Sequence, residues 1–367
     1  EKFPGALQLL KAIRKESAEI VRLLSPDVQT QEKLILADLI ALFAKGRNLS
    51  MVDIQGKERN ITWRRFILED IPYLIPEVLL GIYHTFKIWK HARYHLRKFK
   101  GSGIIRFPFH EKSPVGYIRT NLNFGVKAGG SVSHTAGVIN SLLQMGYPVH
   151  YFAPELLPTI NIEHCLHEII PPPRMFNAFE SLRCVSYSTF YQNLVHKRLK
   201  DVVPGLLYHR YNLGSYVLRP LADCLKSGAV LEFNSSEIWK KKNWEGGLSY
   251  LERLLFPVLR DIELANLHSA NLVVTVSDVM KDQIVNMGVN PEKILSNPNG
   301  VDVHRFIRDL SNEDKSIIRS RYSIPSDTII LTFVGTFGLW HGISVLAEAI
   351  APIIQRRKDI HFVLVGD

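Results

Sequence analysis

A chain of 367 residues that is 46% hydrophobic and 22% charged has the composition of a globular protein. At about 100–200 residues per domain it is too long for one ordinary core. Its three cysteines, Cys165, Cys184 and Cys224, exclude a disulfide-stapled scaffold and the usual cysteine zinc sites. The net charge of +10 is placed unevenly, since residues 1–112 hold 20 Lys/Arg against 12 Asp/Glu.

Residues 1–112 read as a helical segment, with apolar residues recurring at three and four and no β-branched alternation. The segment opens without a secretory apolar core, and no run reaches the ~18 uncharged apolar residues of a membrane span. "LILADLIALFA" is interrupted by Asp38, and "FILEDIPYLIPEVLLGIYHTF" by Glu69, Asp70 and Glu77. Residues 79–100, "LLGIYHTFKIWKHARYHLRKFK", carry six Lys/Arg, no acid, and the aromatics Tyr83, Phe86, Trp89, Tyr94 and Phe99. A basic helix of this kind suits an anionic membrane surface, a nucleic acid, or a solvated face over a core. The membrane surface is the expected partner, and no recognised nucleic-acid motif accompanies the helix. The expected location is therefore cytoplasmic, peripheral on the inner face of the membrane, and the N-x-S/T sequons at Asn48, Asn60 and Asn234 read as chance matches.

After the loop "GSGIIRFPFHEKSP" the texture changes. Strands are expected at "VGYIRT", "PVHYFAP", "GLLYHRY", "AVLEFNSSE", "ANLVVTVSD" and "KILSNPN", each separated from the next by a helix-like or loop segment. This alternation implies an α/β fold with a parallel sheet and helices on both faces. "HCLH" (164–167) matches no metal-ligand spacing and reads as a loop, as does the basic "KKKNW" (240–244). The expected domains are 113–305, a linker over 306–326, and a second α/β domain from 327. That second domain shows only "TIILTFV", a helix and "IHFVLVG", which is too little to close a core, so the chain is expected to be truncated there.

Ligands of open parallel sheets bind beyond the carboxyl ends of the strands, where helix N-termini offer free N–H groups to phosphate. Three loops lie at such places: "NFGVKAGGSVSH" with Gly129, Gly130 and His134; "PNGVDVHRF" with Asn299, Gly300 and Asp302; and "FVGTFGLWHGI" with Gly335, Thr336, His341 and Gly342. Singly, each has a plain reading: a Gly-Gly turn, a half-buried helical histidine, an Asn-Gly turn. Glu232 ends a strand on the ligand side, where a buried carboxylate is unusual, and marks a catalytic candidate. Asn234 and Glu237 follow it on the acceptor side, with a helix cap as the plain reading of Asn234. The dinucleotide and P-loop fingerprints are absent, which excludes the usual nicotinamide and P-loop enzymes.

Taken in order, "GGSVSHTAGVINSLLQMGYPVHYFAP", "LLYHRYN", "AVLEFNSSEIW", "VS…NPNGVDVHRF" and "LTFVGTFGLWHGISVLAEAI" resemble the family 4 retaining glycosyltransferases over residues 114–367. The resemblance implies a GT-B fold. Its N-terminal Rossmann-like domain would be complete and its C-terminal one only begun, with the helical segment in front. It implies transfer of a sugar, with retention, from a nucleotide-sugar to a saccharide or lipid-linked acceptor in polysaccharide or glycoconjugate synthesis. No metal or cofactor is implied, the nucleotide-sugar being a substrate. Gly129 and Gly130 would approach the donor diphosphate and His134 the transferred sugar. Asn299, Gly300 and Asp302 would line or support the cleft, and Asn297 and Arg305 would be structural.

Many members place an Arg after the glycine of "VG" and a Lys before the later glycine, where this chain has Thr336 and His341. Thr336 is uncharged and His341 is cationic only when protonated, so "VGTFGLWHG" reads as a subfamily variant, with an inactive site as the alternative. Gly335 and Gly342 would let backbone face phosphate, and Trp340 would wall the pocket or pack. The family's two glutamates seven residues apart would lie beyond Asp367, so the fragment alone is expected to be inactive. Two readings of other classes stay open: a non-catalytic GT-B relative acting as a partner protein, and nucleic-acid binding through the basic segment.

Overall fold

The computed structural model describes residues 17–25, 28, 34–53, 55–107, 109–122, 129–172, 180–243, 248, 250–301, 303, 307, 311–335, 337–338 and 341–366. The chain divides into two compact units, Glu1–Lys240 with Leu248–Asn299, and Lys241–Gly247 with Gly300–Asp367.

The first unit opens with a small sheet, which corrects the expectation of an all-helical start. β1 (Ser17–Ser25) and β2 (Lys45–Asp53) pair in parallel around α1 (Leu34–Leu42), and β3 (Glu58–Asn60) returns antiparallel to β2. β1 was misread because Ile20, Val21, Leu23 and Leu24 also fit a helical stripe. The turn into β3 does carry a strand signal: Asp53 Oδ1 accepts from the backbone N–H of Gln55 and Lys57, each at 2.9 Å, and Gly56 adopts φ 80°. Buried Arg59 on β3 spans two carboxylates, Asp38 of α1 at 2.7 Å and Asp70 at 3.0 Å.

Asp70 ends a π-helical stretch, Phe66–Asp70, that runs straight into α2 (Ile71–Phe99). One face of α2 buries Gly81, Thr85, Ile88, Ala92 and His95, the three-and-four spacing of a packed helix.

The main sheet has seven parallel strands in the order β10-β9-β8-β7-β4-β5-β6. These are β4 (Val115–Arg119), β5 (Val149–Ala153), β6 (Leu166–Ile169), β7 (Leu206–Arg210), β8 (Gly228–Glu232), β9 (Leu272–Thr275) and β10 (Ile294–Ser296). Six were expected. β6 was missed because it is an edge strand with exposed Leu166 and Ile169, and it begins inside the "HCLH" run expected to be a loop. The helices between are α3 (Gly130–Gln144), α4 (Glu180–Leu199), α5 (Leu218–Leu225), α6 (Glu237–Asn243), α7 (Tyr250–Ser269) and α8 (Asp278–Asn286). Lys240–Asn243, expected in a basic loop, close α6 instead.

The period of two along each strand divides the sheet between two cores. Tyr117 and Tyr151 face Val132, Ala136 and Ile139 of α3, while Ile118, Phe152, Leu207 and Leu231 face the opposite layer with Tyr191 and Leu221. α2 lies on this second layer. Its Ile88 and Ala92 pack with Val185 of α4 and Leu259 and Ile262 of α7, and Trp89 Nε1 donates to Asp261 Oδ2 at 2.7 Å.

The second unit holds α9 (Asn312–Arg321), which occupies the segment expected as a linker, then β11 (Ile329–Val334), α10 (Ile343–Arg356) and β12 (Ile360–Val365). α9 starts with a reciprocal cap between Ser311 and Asp314. β11 and β12 pair in parallel, and Ile329, Leu331, Val334, Leu364 and Val365 are exposed.

Candidate active site

Parallel register aligns the carboxyl ends of three central strands. Arg119 of β4 pairs with Arg210 of β7, and Arg210 with Glu232 of β8. Two residues earlier, on the same face, Tyr117 and Tyr208 stack at 5.2 Å, so the three charged residues point to the side covered by α3. α3 begins there. Gly129, its cap, has φ 120°, a conformation that favours glycine, and neither Gly129 nor Gly130 has an atom within 4 Å of the place a Cβ would occupy. The first turn of α3 therefore presents backbone to open space at the carboxyl edge of the sheet.

One turn into α3, His134 Nε2 lies 3.1 Å from Glu232 Oε1. Arg210 reaches the same oxygen at 3.1 Å, and Asn234 Nδ2 donates to it at 2.7 Å. Glu232 is only 1% exposed. Burial pushes its carboxyl up, but the hydrogen bond from His134, the charge of Arg210 and the Asn234 amide outweigh it, and the group stays below its ordinary range as a carboxylate. Burial, and then the charge of Glu232, hold the Tyr117 and Tyr208 phenols far above theirs, so both keep their protons. A buried anion thus fixes a histidine and an arginine beside an open helix N-terminus.

The loop from β8 to α6 is tied at both ends. Asn234 holds Glu232, while Ser236 Oγ donates to Glu263 Oε1 at 2.7 Å and the Glu237 backbone N–H to Oε2 at 3.1 Å. Burial raises the Glu263 carboxyl to about 7. Glu237 itself pairs with Lys240 at 2.5 Å. On the other face of the sheet, His209 Nε2 lies 3.2 Å from Thr120 Oγ1 and 3.3 Å from Ser215 Oγ. Burial drives that imidazole down to about 3, so it is neutral.

Gly129, Gly130, His134, Glu232 and Asn234 are therefore brought together, with Glu237 three residues after Asn234 at the start of α6. Asn299 is exposed after β10, two strands from β8, and Gly300 begins the second unit. Asp302, Arg305, Thr336 and Trp340 lie outside the described residues. In the second unit, Gly335 (φ 155°) ends β11 and Gly342 (φ 68°) caps α10, with His341 between them against Phe333 at 6.2 Å. These three gather at the N-terminus of a 14-residue helix. Sequence reasoning missed Arg210 and Glu263. Arg210 carried a signal, a cation closing an apolar strand, whereas Glu263 lies mid-helix and shows its role only through the loop it holds. Among the described residues, no three His, Cys, Asp or Glu side chains form a group that would hold a metal.

Residues 128–305 match the family model described as Glycosyltransferase Family 4. Among solved structures, a glycosyltransferase from Rickettsia africae superposes with a TM-score of 0.50 at 16% identity, covering 70% of this chain and 61% of that one. A sucrose-phosphate synthase from Thermosynechococcus elongatus gives 0.50 at 18%, covering 69% and 62%. The chain thus spans about three fifths of the length of these structures, and the likeness shows the fold, the Rossmann-like α/β architecture of GT-B proteins. The search among curated proteins gave no match.

Proposed function

We propose that the protein transfers a sugar from a nucleotide-sugar to a saccharide or lipid-linked acceptor, with retention of configuration, a reading supported by the match of residues 128–305 to the Glycosyltransferase Family 4 model. One observation carries this reading. The open, glycine-built start of α3 lies beside a histidine fixed by a buried carboxylate at the carboxyl edge of the sheet.

Breaking the sugar–phosphate bond leaves negative charge on the nucleoside diphosphate and makes the sugar oxocarbenium-like. The amides of Gly129 and Gly130 and the positive end of α3 meet the first charge. His134 touches the sugar, and Glu232 is a positioning residue that keeps the ring and Arg210 in place. Gly335, His341 and Gly342 at the start of α10 supply a second set of backbone donors for phosphate. The nucleotide-sugar is a substrate, and no cofactor is assigned.

The test is turnover of a panel of nucleotide-sugars by the whole protein, read as nucleoside diphosphate released with and without saccharide acceptors. His134→Ala is expected to lower the rate at least ~100-fold in a chain that circular dichroism shows is still folded. Absence of turnover and of binding across the panel would overturn the reading in favour of a non-catalytic partner protein.

A further inference from the structure

The face of α2 opposite its packed stripe is divided along its length. From Ile75 to Phe86 it exposes Ile75, Leu79, Ile82, Tyr83 and Phe86, each 55–67% accessible, and Leu68 of the preceding π-helical stretch is exposed as well. From Lys87 onward it exposes Lys87, Lys90, Arg97 and Lys98, with Lys100 just past its end, while Arg93 is paired with Asp261 of α7 at 3.6 Å. The only acid between residues 71 and 100 is Glu77, which is buried. Exposed apolar surface of this extent, continuous with a basic stretch, marks a contact surface rather than scattered surface residues.

We propose that this face of α2 lies in the interface of an anionic lipid bilayer, its apolar half at the acyl boundary and its basic half among the headgroup phosphates. The charge is complementary, and the long basic side chains and Tyr94 suit the headgroup layer. The position agrees as well. α2 runs alongside α7, with Trp89 against Asp261, and both helices descend toward the start of β9, where Asn271 Nδ2 donates to Ile105 O. Eighteen residues of α2 precede Trp89, but only eleven of α7 precede Asp261. The apolar end of α2 therefore extends about 10 Å beyond the start of α7 at 1.5 Å per residue. The lipid-facing surface and the open start of α3 lie toward the same edge. The inference stands on α2 alone and does not depend on the transferase reading.

The experiment is sedimentation of the full chain with vesicles of phosphatidylcholine, with and without phosphatidylglycerol. Binding to the anionic vesicles only is expected. Lys90→Gln with Arg97→Gln should weaken it roughly twentyfold, and high salt should act in the same direction. Leu79→Ser with Phe86→Ser, at exposed positions that leave the fold intact by circular dichroism, should weaken it at least ~tenfold. No sedimentation, equal sedimentation with both vesicles, or variants that bind like the parent would overturn the proposal. So would a dimer, seen by light scattering, that Leu79→Ser with Phe86→Ser dissolves, or retention by duplex DNA in place of vesicles.

Discussion

Glu232 and Glu263 are buried carboxyls of one unit that titrate in opposite directions. Glu232 is held below its ordinary value, so its contribution is present above the unfolded pKa near ~4.3 and lost as pH falls through the folded one. Glu263 is raised to about 7, so the folded state keeps a proton that the unfolded chain has shed, and stability declines as pH rises from about 4.5 to 7. Urea midpoints measured from pH 4 to 8 should show Glu263→Gln removing the decline between about pH 4.5 and 7, a change of up to about 3 kcal/mol. Glu232→Gln should remove the loss of stability below about pH 4.3, read by extending the series to pH 2, and cost about 2–4 kcal/mol at pH 7, because Arg210 is left without its counter-charge. Gly130→Ala probes ligand approach instead. A methyl there meets nothing, so the midpoint should hold while affinity for a nucleoside diphosphate, read by titration calorimetry, falls. His134 and the glycines were legible because strand, Gly-Gly and helix follow each other in the sequence. Arg210 joins the cluster through strand pairing between residues 22 positions apart, which periodicity along one segment does not report.

α2 is attached through a narrow seam. Ile88→Ala should cost about 2–5 kcal/mol, since Ile88 is buried against Leu259 and Ile262, and its urea midpoint should shift accordingly. Strands of the main sheet were readable from the sequence because they are buried on both faces and appear as continuous apolar runs between turn residues, as "AVLEF" and "NLVVTV" do. The small sheet was not. β1 carries apolar residues in pairs that satisfy either period, and the adjoining 29-residue helix lent its texture to the whole segment. β6 failed for the opposite reason: its four residues include only two apolar ones, both exposed.

Across the molecule, the division into two units follows the alternation of elements, and the second unit rests on a close crossing of backbones. A Cβ at Gly366 would fall 1.8 Å from Gly335 O, and Gly366 has φ 156°. Gly366→Ala should therefore raise hydrogen exchange along β11 and β12 while leaving the amides of the seven-stranded sheet protected. The GT-B architecture was legible from the order of motifs, which is a property of the chain as a whole. The packing of the first third was not, because α2 meets α4 and α7, which lie far along the sequence. The middle place of β4 has a practical consequence for anyone who would excise the family-matching segment. That segment starts at residue 128, yet β4 lies at 115–119 between β7 and β5 and lends Tyr117 to one core and Ile118 to the other. A fragment cut at 128 would be two half-sheets without a keel, so the cutting point that respects the fold lies upstream of α2.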